Sequence, residues 1–199
     1  MKQVLVVLLS LLTAATLTAQ NFNFPLKPFK VRVAAQGGLS KVFNDDIRSG
    51  NNFGAEFTIP YDNAFGIGVK FSDSCTKSFD DNIMFLGTYG SITNFISCTR
   101  HCFFVNLGIG AIRYDSDRKD TGDTIRREGY TLGGYAGIQY DYRITNTLAI
   151  GAEISTTVGN LDHVQESIGG GKSKYKHLHG PDRISLNRID ASIGLRLYL

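Results

Sequence analysis

Hydrophobic and polar residues alternate one by one along most of the chain. Phe29, Val31 and Val33 begin one such stretch, and the positions between them carry Lys30 and Arg32. A period of two places successive side chains on opposite faces of a β-strand, one face apolar and the other polar. The pattern predicts seven clear strands, at residues 29–40, 53–59, 65–72, 103–111, 130–141, 148–154 and 189–199.

An eighth strand is predicted over residues 83–96, but its facing stays open. Phe85 and Phe95 fall on one face of this strand, whereas Leu86 and Ile92 fall on the other. Since both faces are partly apolar, alternation does not tell which of them points inward. After the N-terminal segment, no stretch has the 3.6-residue period of an amphipathic helix. The chain is therefore predicted to be all-β.

The connections between the predicted strands fall into two groups. Residues 62–64, 99–101 and 145–147 each fit a three-residue hairpin turn. The remaining connections are longer and polar, and they cover residues 44–50, 73–82, 115–128 and 159–182. Short turns at one end and long loops at the other predict an eight-stranded antiparallel up-and-down barrel.

The N-terminal segment predicts export. Lys2 follows the first methionine, Val4–Leu12 is an apolar run, and Ala19 is a small residue before a suitable cleavage position. These are the features of a secretory signal peptide, and the apolar run is shorter than the roughly 20 residues of a transmembrane helix. We therefore assign residues 1–20 to a cleaved signal peptide, 21–28 to a short N-terminal lead and 29–199 to the barrel.

Composition narrows the possible classes of protein. The chain has 199 residues, of which 42% are hydrophobic and 20% are charged, with 22 glycines and no Trp. This apolar content excludes a disordered chain, and the glycines show no collagen-like repeat. A formal net charge of +3 is too small to indicate a nucleic-acid-binding protein.

The positions of glycine and of charge predict that the polar face of the barrel lies inside. With the eighth strand set aside, ten strand glycines fall on the polar face and only Gly37 and Gly134 fall on the apolar face. Glycine within a strand marks close approach, and the lumen of an eight-stranded barrel is barely wide enough for side chains. Buried charges must be paired, and this face carries both signs. We predict a lumen charge network of Arg32, Glu56, Lys70, Asp141, Arg143, Glu153, Asp190 and Arg196.

An apolar outer surface predicts a transmembrane β-barrel, and the aromatic residues are placed accordingly. Such barrels carry aromatic side chains at both rims of their apolar band. Near the short turns lie Phe29, Tyr61, Phe65, Phe95, Phe103, Tyr140 and Tyr142, and near the long loops lie Phe43, Phe53, Phe71, Phe85 and Tyr130.

With the signal peptide, the eight alternating strands and the apolar strand from Ala191 to Leu199, the chain resembles small outer-membrane β-barrels of the OmpX and OmpA-transmembrane type. The resemblance covers residues 29–199 and departs from the family at Leu199, where the common terminal residue is Phe. It implies a Gram-negative outer membrane, a periplasmic lead over residues 21–28, and long loops outside the cell. It implies no particular activity, because this scaffold carries many functions.

The cysteines and histidines are the candidates for disulfide formation, metal binding or catalysis. Cys98 and Cys102 flank the turn at 99–101, which is compatible with a disulfide in an oxidising compartment. A metal site made of these two cysteines and His101 lacks a fourth ligand, so we predict no metal site and no cofactor. Cys75 is left over in a predicted outer loop.

The longest loop is basic in part, and two interpretations of it stay open. One is a patch that binds lipopolysaccharide phosphates or another anionic surface, and the other is a solvated loop around the glycines at 169–171. The basic residues in question are His163, His177, His179, Lys172, Lys174 and Lys176.

We therefore predict a non-enzymatic, monomeric barrel that contacts outer-membrane lipid and lipopolysaccharide, and a surface ligand through loops 115–128 and 159–182. Two alternatives are weighed against it. A lipid A-modifying enzyme needs a His within hydrogen-bond reach of a Ser. In this sequence that requires a loop histidine to fold over Ser155 or Ser167. A lipocalin-like carrier of a hydrophobic ligand needs the apolar face inside and commonly has a Trp, which this chain lacks.

Overall fold

Strict alternation is the local reason for the strands, because one face of each strand is apolar and the other carries polar groups and glycine. The computed structural model of the protein describes residues 30–44, 46–47, 49–61, 64–76, 80–93, 100–120, 123–169, 171, 173–180 and 183–199. The predicted signal peptide at 1–20 and the lead at 21–28 lie outside the described residues. No helix in the described part of the chain is long and apolar enough to cross a membrane.

Eight long strands form the barrel, and four short strands lie in the connection between the last two long strands. The long strands are β1 Arg32–Val42, β2 Gly50–Pro60, β3 Phe65–Thr76, β4 Asp81–Thr93, β5 His101–Asp120, β6 Asp123–Arg143, β7 Leu148–Val158 and β12 Arg188–Tyr198. The short strands are β8 Asn160–Leu161, β9 His163–Ile168, β10 Lys174–His177 and β11 Ile184–Ser185.

The eight long strands close into a barrel. Each strand from β1 to β6 pairs antiparallel with the next one, and β12 pairs with both β7 and β1. At the closing seam Ala35 of β1 lies opposite Leu195 of β12, and on its other side it lies opposite Ala55 of β2. The predicted eight-stranded antiparallel up-and-down barrel is confirmed. Closure leaves no free edge among these eight strands.

The short-turn end is held by backbone hydrogen bonds. The amide of Tyr61 donates to the carbonyl of Phe65 at 2.8 Å, and that of Ile144 donates to Leu148 at 2.8 Å. These bonds enclose the predicted turns at 62–64 and 145–147. The prediction of a turn at 99–101 was wrong at His101, which is the first residue of β5. His101 pairs with a residue of β6, and this contact extends the ladder by one position.

At the other end the strands run further than alternation predicts. The connection predicted at 115–128 is mostly a hairpin, in which β5 and β6 stay paired as far as Asp120 and Asp123. The connection at 73–82 is likewise shortened by β3 and β4, and the one at 159–182 contains β8, β9 and β10. Polar residues occupy both faces here, so the apolar signal of a strand is missing although the backbone still pairs.

The structure also settles the facing of β4. Phe85 and Tyr89 point into the barrel and are buried, whereas Leu86 and Ile92 point outward and are exposed. Phe85 was predicted at the outer rim, and this was wrong. β4 is apolar on both faces because its inward aromatic rings pack in the lumen, where the rings of Phe85 and Tyr135 lie 5.8 Å apart.

Candidate functional site

The outer surface of the barrel is a continuous apolar band. Its outward side chains include Ile109, Leu132 and Ile193, which are 74%, 85% and 70% exposed. No outward-facing position of this band carries a charge, as read from the described strands. We define the apolar band as the outward-facing residues of 33–39, 53–59, 65–71, 86–92, 103–111, 130–142, 148–158 and 189–199.

Aromatic side chains stand at both edges of the apolar band. Tyr61 and Phe65 are exposed at the short-turn end, and Phe53 and Tyr130 are exposed at the long-loop end. The guanidinium carbon of Arg113 lies 5.7 Å from the centre of the Tyr130 ring, just beyond the band. Such a border of aromatic and cationic groups is typical of a membrane–water interface.

The middle of the lumen contains a buried ion-pair network. Lys70 Nζ lies 2.5 Å from Glu56 Oε1 and 2.6 Å from Glu153 Oε1. Arg32 donates from Nε to Asp141 Oδ2 at 2.8 Å, and its Nη1 lies 3.3 Å from Glu56 Oε2. The carboxylates of Glu56, Glu153 and Asp141 have no exposed side-chain surface, so each charge depends on these contacts.

Neutral residues link these ion pairs into one network. Gln139 Nε2 donates to Glu56 Oε2 at 2.6 Å and to Glu153 Oε2 at 2.9 Å. Tyr198 donates its hydroxyl to Asp141 at 2.6 Å, and Tyr135 donates to Glu153 at 2.9 Å. None of Gln139, Tyr135 and Tyr198 was singled out from the sequence. Their inward positions in the alternation were the available signal.

The other predicted network residues lie around this centre. Arg196 Nε is 3.3 Å from Asp141 Oδ1, and Asp190 Oδ2 is 3.2 Å from Nε of Arg188, a residue that the predicted network omitted. Arg143 instead places its guanidinium carbon 4.8 Å from the Tyr198 ring centre and donates to the Asn146 carbonyl at 2.7 Å. The central set contains three cations and three carboxylates and is therefore neutral as a whole.

Two lumen glycines leave the space that these side chains occupy. A Cβ atom on Gly151 would lie 2.7 Å from Arg196 Nε and would collide with the Asp141 carboxylate. A Cβ atom on Gly68 would lie 2.6 Å from the Tyr89 hydroxyl. The crowding predicted for the polar face is therefore visible in the contacts themselves.

Above the network, an apolar cluster fills the outer mouth of the barrel. Five of its members come from the segments that connect the long strands: Ile47, Leu161, Val164, Leu178 and Leu186. Sequence reasoning missed this cluster because connecting segments have no regular alternation. The complete cluster consists of Val42, Ile47, Ile83, Phe85, Tyr89, Ile112, Tyr114, Tyr135, Leu161, Val164, Leu178 and Leu186.

A hydrogen-bonded group ties the first long connection to this mouth. Arg118 contacts both carboxylate oxygens of Asp81, at 3.2 and 3.0 Å, and also donates to the carbonyl of Asp46. Tyr114 donates to Asp81 at 2.8 Å, and burial raises the pKa of Tyr114 to about 12. Tyr114 therefore keeps its proton at neutral pH and remains a donor.

Beyond the apolar band, β5, β6, β9 and β10 continue as an outer sheet. Its outward charges on β5 and β6 mostly compensate each other, since Arg113 pairs with Asp115 at 2.7 Å and Arg126 pairs with Glu128 at 2.6 Å. On β10, the exposed Lys174 has no ion-pair partner among the described residues, and neither has Lys176. Lys172 of the predicted basic patch lies outside the described residues.

Three histidines lie together on the outer sheet. His163 of β9 is directly opposite His177 of β10, and their ring centres are 4.1 Å apart. The ring centres of His177 and His179 are 4.0 Å apart. All three side chains are exposed. Within the residues that the structure describes, no group of three or more His, Cys, Asp or Glu side chains is placed so that it could hold a metal ion.

The predicted disulfide stays untested by the structure, whereas both candidate hydrolytic serines can be located in it. Cys98 lies outside the described residues, so its pairing with the buried Cys102 stays a prediction. Ser155 is buried on the lumen side of β7, away from the exposed loop histidines. For Ser167, no hydrogen bond to His163 or to another loop histidine is found in the described part of the chain. Among the described residues, neither Ser155 nor Ser167 therefore has the hydrogen-bonded histidine that a serine hydrolase requires.

Solved structures of two other proteins share this fold. Neisserial surface protein A matches with a TM-score of 0.57 and 14% identity, covering 85% of this chain and 97% of that chain. A major outer membrane protein from Thermus thermophilus matches with a TM-score of 0.58 and 7% identity, covering 85% of this chain and 99% of that chain. At these identities the likeness establishes the fold. No known family model and no curated protein match the chain.

Proposed function

We propose that this chain is a non-enzymatic integral outer-membrane protein, exported through a cleaved signal peptide at residues 1–20, whose outer end makes its contacts. The observation that carries the proposal is the inversion of the barrel, with an uncharged apolar band outside and charges such as Lys70 and Glu56 inside. Soluble monomers rarely expose contiguous apolar patches larger than a few hundred square ångströms.

The dimensions of the apolar band support the same proposal. On β5 the band runs from Phe103 to Ala111. At about 3.4 Å per residue and a tilt of about 40°, such a segment spans about 23 Å, close to the roughly 25 Å apolar height of outer-membrane barrels. Closure of the barrel also pairs the backbone of every spanning strand, as hydrocarbon requires.

The interior argues against the two alternatives that the sequence left open. A carrier of a hydrophobic ligand needs an apolar cavity, whereas the lumen centre holds buried ions such as Arg32 and Asp141. A serine hydrolase needs a histidine hydrogen-bonded to its serine, and Ser155 is enclosed in the lumen. The same filled lumen supports a plugged barrel rather than a conducting pore.

Cell fractionation tests the proposal directly. The chain should be recovered with outer membranes and should migrate faster in gels when unheated than when boiled, because the closed barrel resists unfolding by detergent. A periplasmic soluble protein serves as the fractionation control. Recovery of a monomer in plain buffer with a hydrophobic guest would contradict the proposal. A deletion strain with altered lipid A acylation, restored by the intact gene, would contradict the non-enzymatic part.

We propose lipopolysaccharide phosphates as one contact of the outer end. Lys174 and Lys176 are exposed on β10 and carry no ion pair among the described residues, so their charges are available to an anion. The double change Lys174→Gln and Lys176→Gln should weaken binding of the detergent-folded protein to lipopolysaccharide and reduce its salt dependence. Lys30→Gln, at the opposite rim, is the control. Equal binding by all three proteins would remove this contact.

A further inference from the structure

We propose that His163, His177 and His179 form a surface site for a divalent transition metal of the Zn²⁺ class. Three of the four histidines in the chain are placed in this one cluster. His163 and His177 are a directly opposed cross-strand pair, and His179 follows two positions after His177. Neutral imidazole nitrogen is a preferred ligand of Zn²⁺, Cu²⁺ and Ni²⁺.

The backbone that carries the three imidazoles is anchored from below. Val164, next to His163, is 2% exposed, and Leu178, between His177 and His179, is 5% exposed. Both belong to the apolar cluster at the barrel mouth. The amide of Leu178 also donates to the carbonyl of Asp162 at 2.7 Å. Because these apolar neighbours point inward, alternation directs the three histidines to the opposite, exposed side.

The three exposed side chains must rotate to convert this cluster into a metal site. Zinc–nitrogen bonds of about 2.1 Å place tetrahedral ligand nitrogens about 3.4 Å apart and the ring centres about 5 Å apart. The ring centres, now 4.1 Å and 4.0 Å apart, must therefore separate by about 1 Å. The His163 and His177 rings are tilted by 41° and the His177 and His179 rings meet edge-on at 85°, so their nitrogens do not converge on one point. Three protein nitrogens leave a fourth position for water.

Neighbouring charges do not compete for the three imidazoles. Lys174 and Lys176 alternate with Tyr175 and His177 along β10, so they extend from the face opposite to His177. The carboxylate of Asp162 is already engaged, with its Oδ1 atom 3.0 Å from Arg183 Nε. The metal is therefore expected to bind through imidazole alone.

The test is calorimetric titration of Zn²⁺ into the untagged, detergent-folded full chain. The intact protein should bind one Zn²⁺ saturably, and His163→Gln, His177→Gln or His179→Gln should each weaken binding by about tenfold or more. His101→Gln is the matched control because it removes the remaining histidine, which contacts the Tyr140 hydroxyl at 2.7 Å at the other end of the barrel. Faster gel migration before heating verifies that each variant is folded.

Three results would overturn the site. The first is the absence of saturable binding by the intact chain. The second is undiminished binding after all three cluster histidines are replaced together, which would place the metal elsewhere on the chain. The third is an equal loss of affinity on replacement of His101 alone. A stepwise loss confined to the three cluster variants supports the site, and it is independent of whether the barrel is recovered from outer membranes.

Discussion

Replacement of Glu56 by glutamine removes one charge from the centre of the lumen network. Glu56 accepts contacts from Lys70 at 2.5 Å, Gln139 at 2.6 Å and Arg32 at 3.3 Å. Glutamine keeps the size of the side chain, but the central set then has three cations and two carboxylates. The NH2 group of the new glutamine must also face the Lys70 ammonium or the Gln139 NH2 group, and each of these is itself a donor. We expect a large loss of stability.

The size of the loss follows from the remaining contacts. Breaking a buried ion pair by removing one partner costs about 3–5 kcal/mol because the other charge stays buried. Here Lys70 keeps Glu153 at 2.6 Å and Arg32 keeps Asp141 at 2.8 Å. Since neither cation loses its last carboxylate, we expect a loss near the lower end of that range, about 3 kcal/mol.

Urea unfolding of the chain in lipid vesicles measures this loss, with the heat-sensitive gel band reporting the folded fraction. Glu128→Gln is the matched control, because Glu128 pairs with the half-exposed Arg126 on the outer sheet, and exposed pairs contribute about 0–1 kcal/mol. Adding Lys70→Met to Glu56→Gln restores neutrality, so the double variant should lose less than the sum of its single changes. If Glu56→Gln cost no more than Glu128→Gln, the network would not stabilise the barrel.

Three further changes probe the lumen, the apolar band and a thiol outside it. Gly68→Ala should lower the melting temperature because its Cβ would lie 2.6 Å from a tyrosine hydroxyl, whereas Gly90→Ala, whose Cβ would have its nearest neighbour atom 4.0 Å away, should not. Leu107→Arg, midway along the band on β5, should cost about 2–4 kcal/mol in vesicles, and a neutral effect would place that face in water. Burial and the nearby Asp73 raise the pKa of Cys75, so Asp73→Asn should speed alkylation of Cys75 at neutral pH, measured by mass spectrometry of its peptide.

The order of the eight strands and the inward direction of the polar face were predictable because both depend on local pattern. Each clear strand has one apolar face, and the glycines concentrate on the other face, which points into the crowded lumen. The contacts of Gly151 show why, since its missing Cβ leaves room for Asp141, directly opposite on the neighbouring strand, and for Arg196 of the last strand. A one-residue error in register would reverse every side chain, so the pattern also determines facing.

The pairing within the lumen was beyond the reach of local pattern. Arg196 donates to Gln36 at 2.7 Å across 160 positions of sequence, and Arg32 reaches Gln139 at 3.0 Å across 107. Charge signs show that pairing is possible, but partner choice depends on how far each strand is shifted along its neighbours. Arg188 is different, because it pairs locally with Asp190, two positions later on its own strand.

The strands of the barrel follow from alternation, whereas the outer end is held in place by isolated apolar residues. Its connecting segments bury Ile47, Leu161 and Leu178 in the barrel mouth, so isolated apolar residues in polar stretches act as anchors there. Such anchors fix the backbone on one side and leave the alternate side chains exposed, as Leu178 does for His177 and His179. The apolar residues that close the mouth of the barrel therefore also hold the outer sheet in place. A ligand of that sheet therefore meets a backbone that is already ordered, and only side chains have to be fixed on binding, at a lower entropic cost than ordering a mobile loop would require.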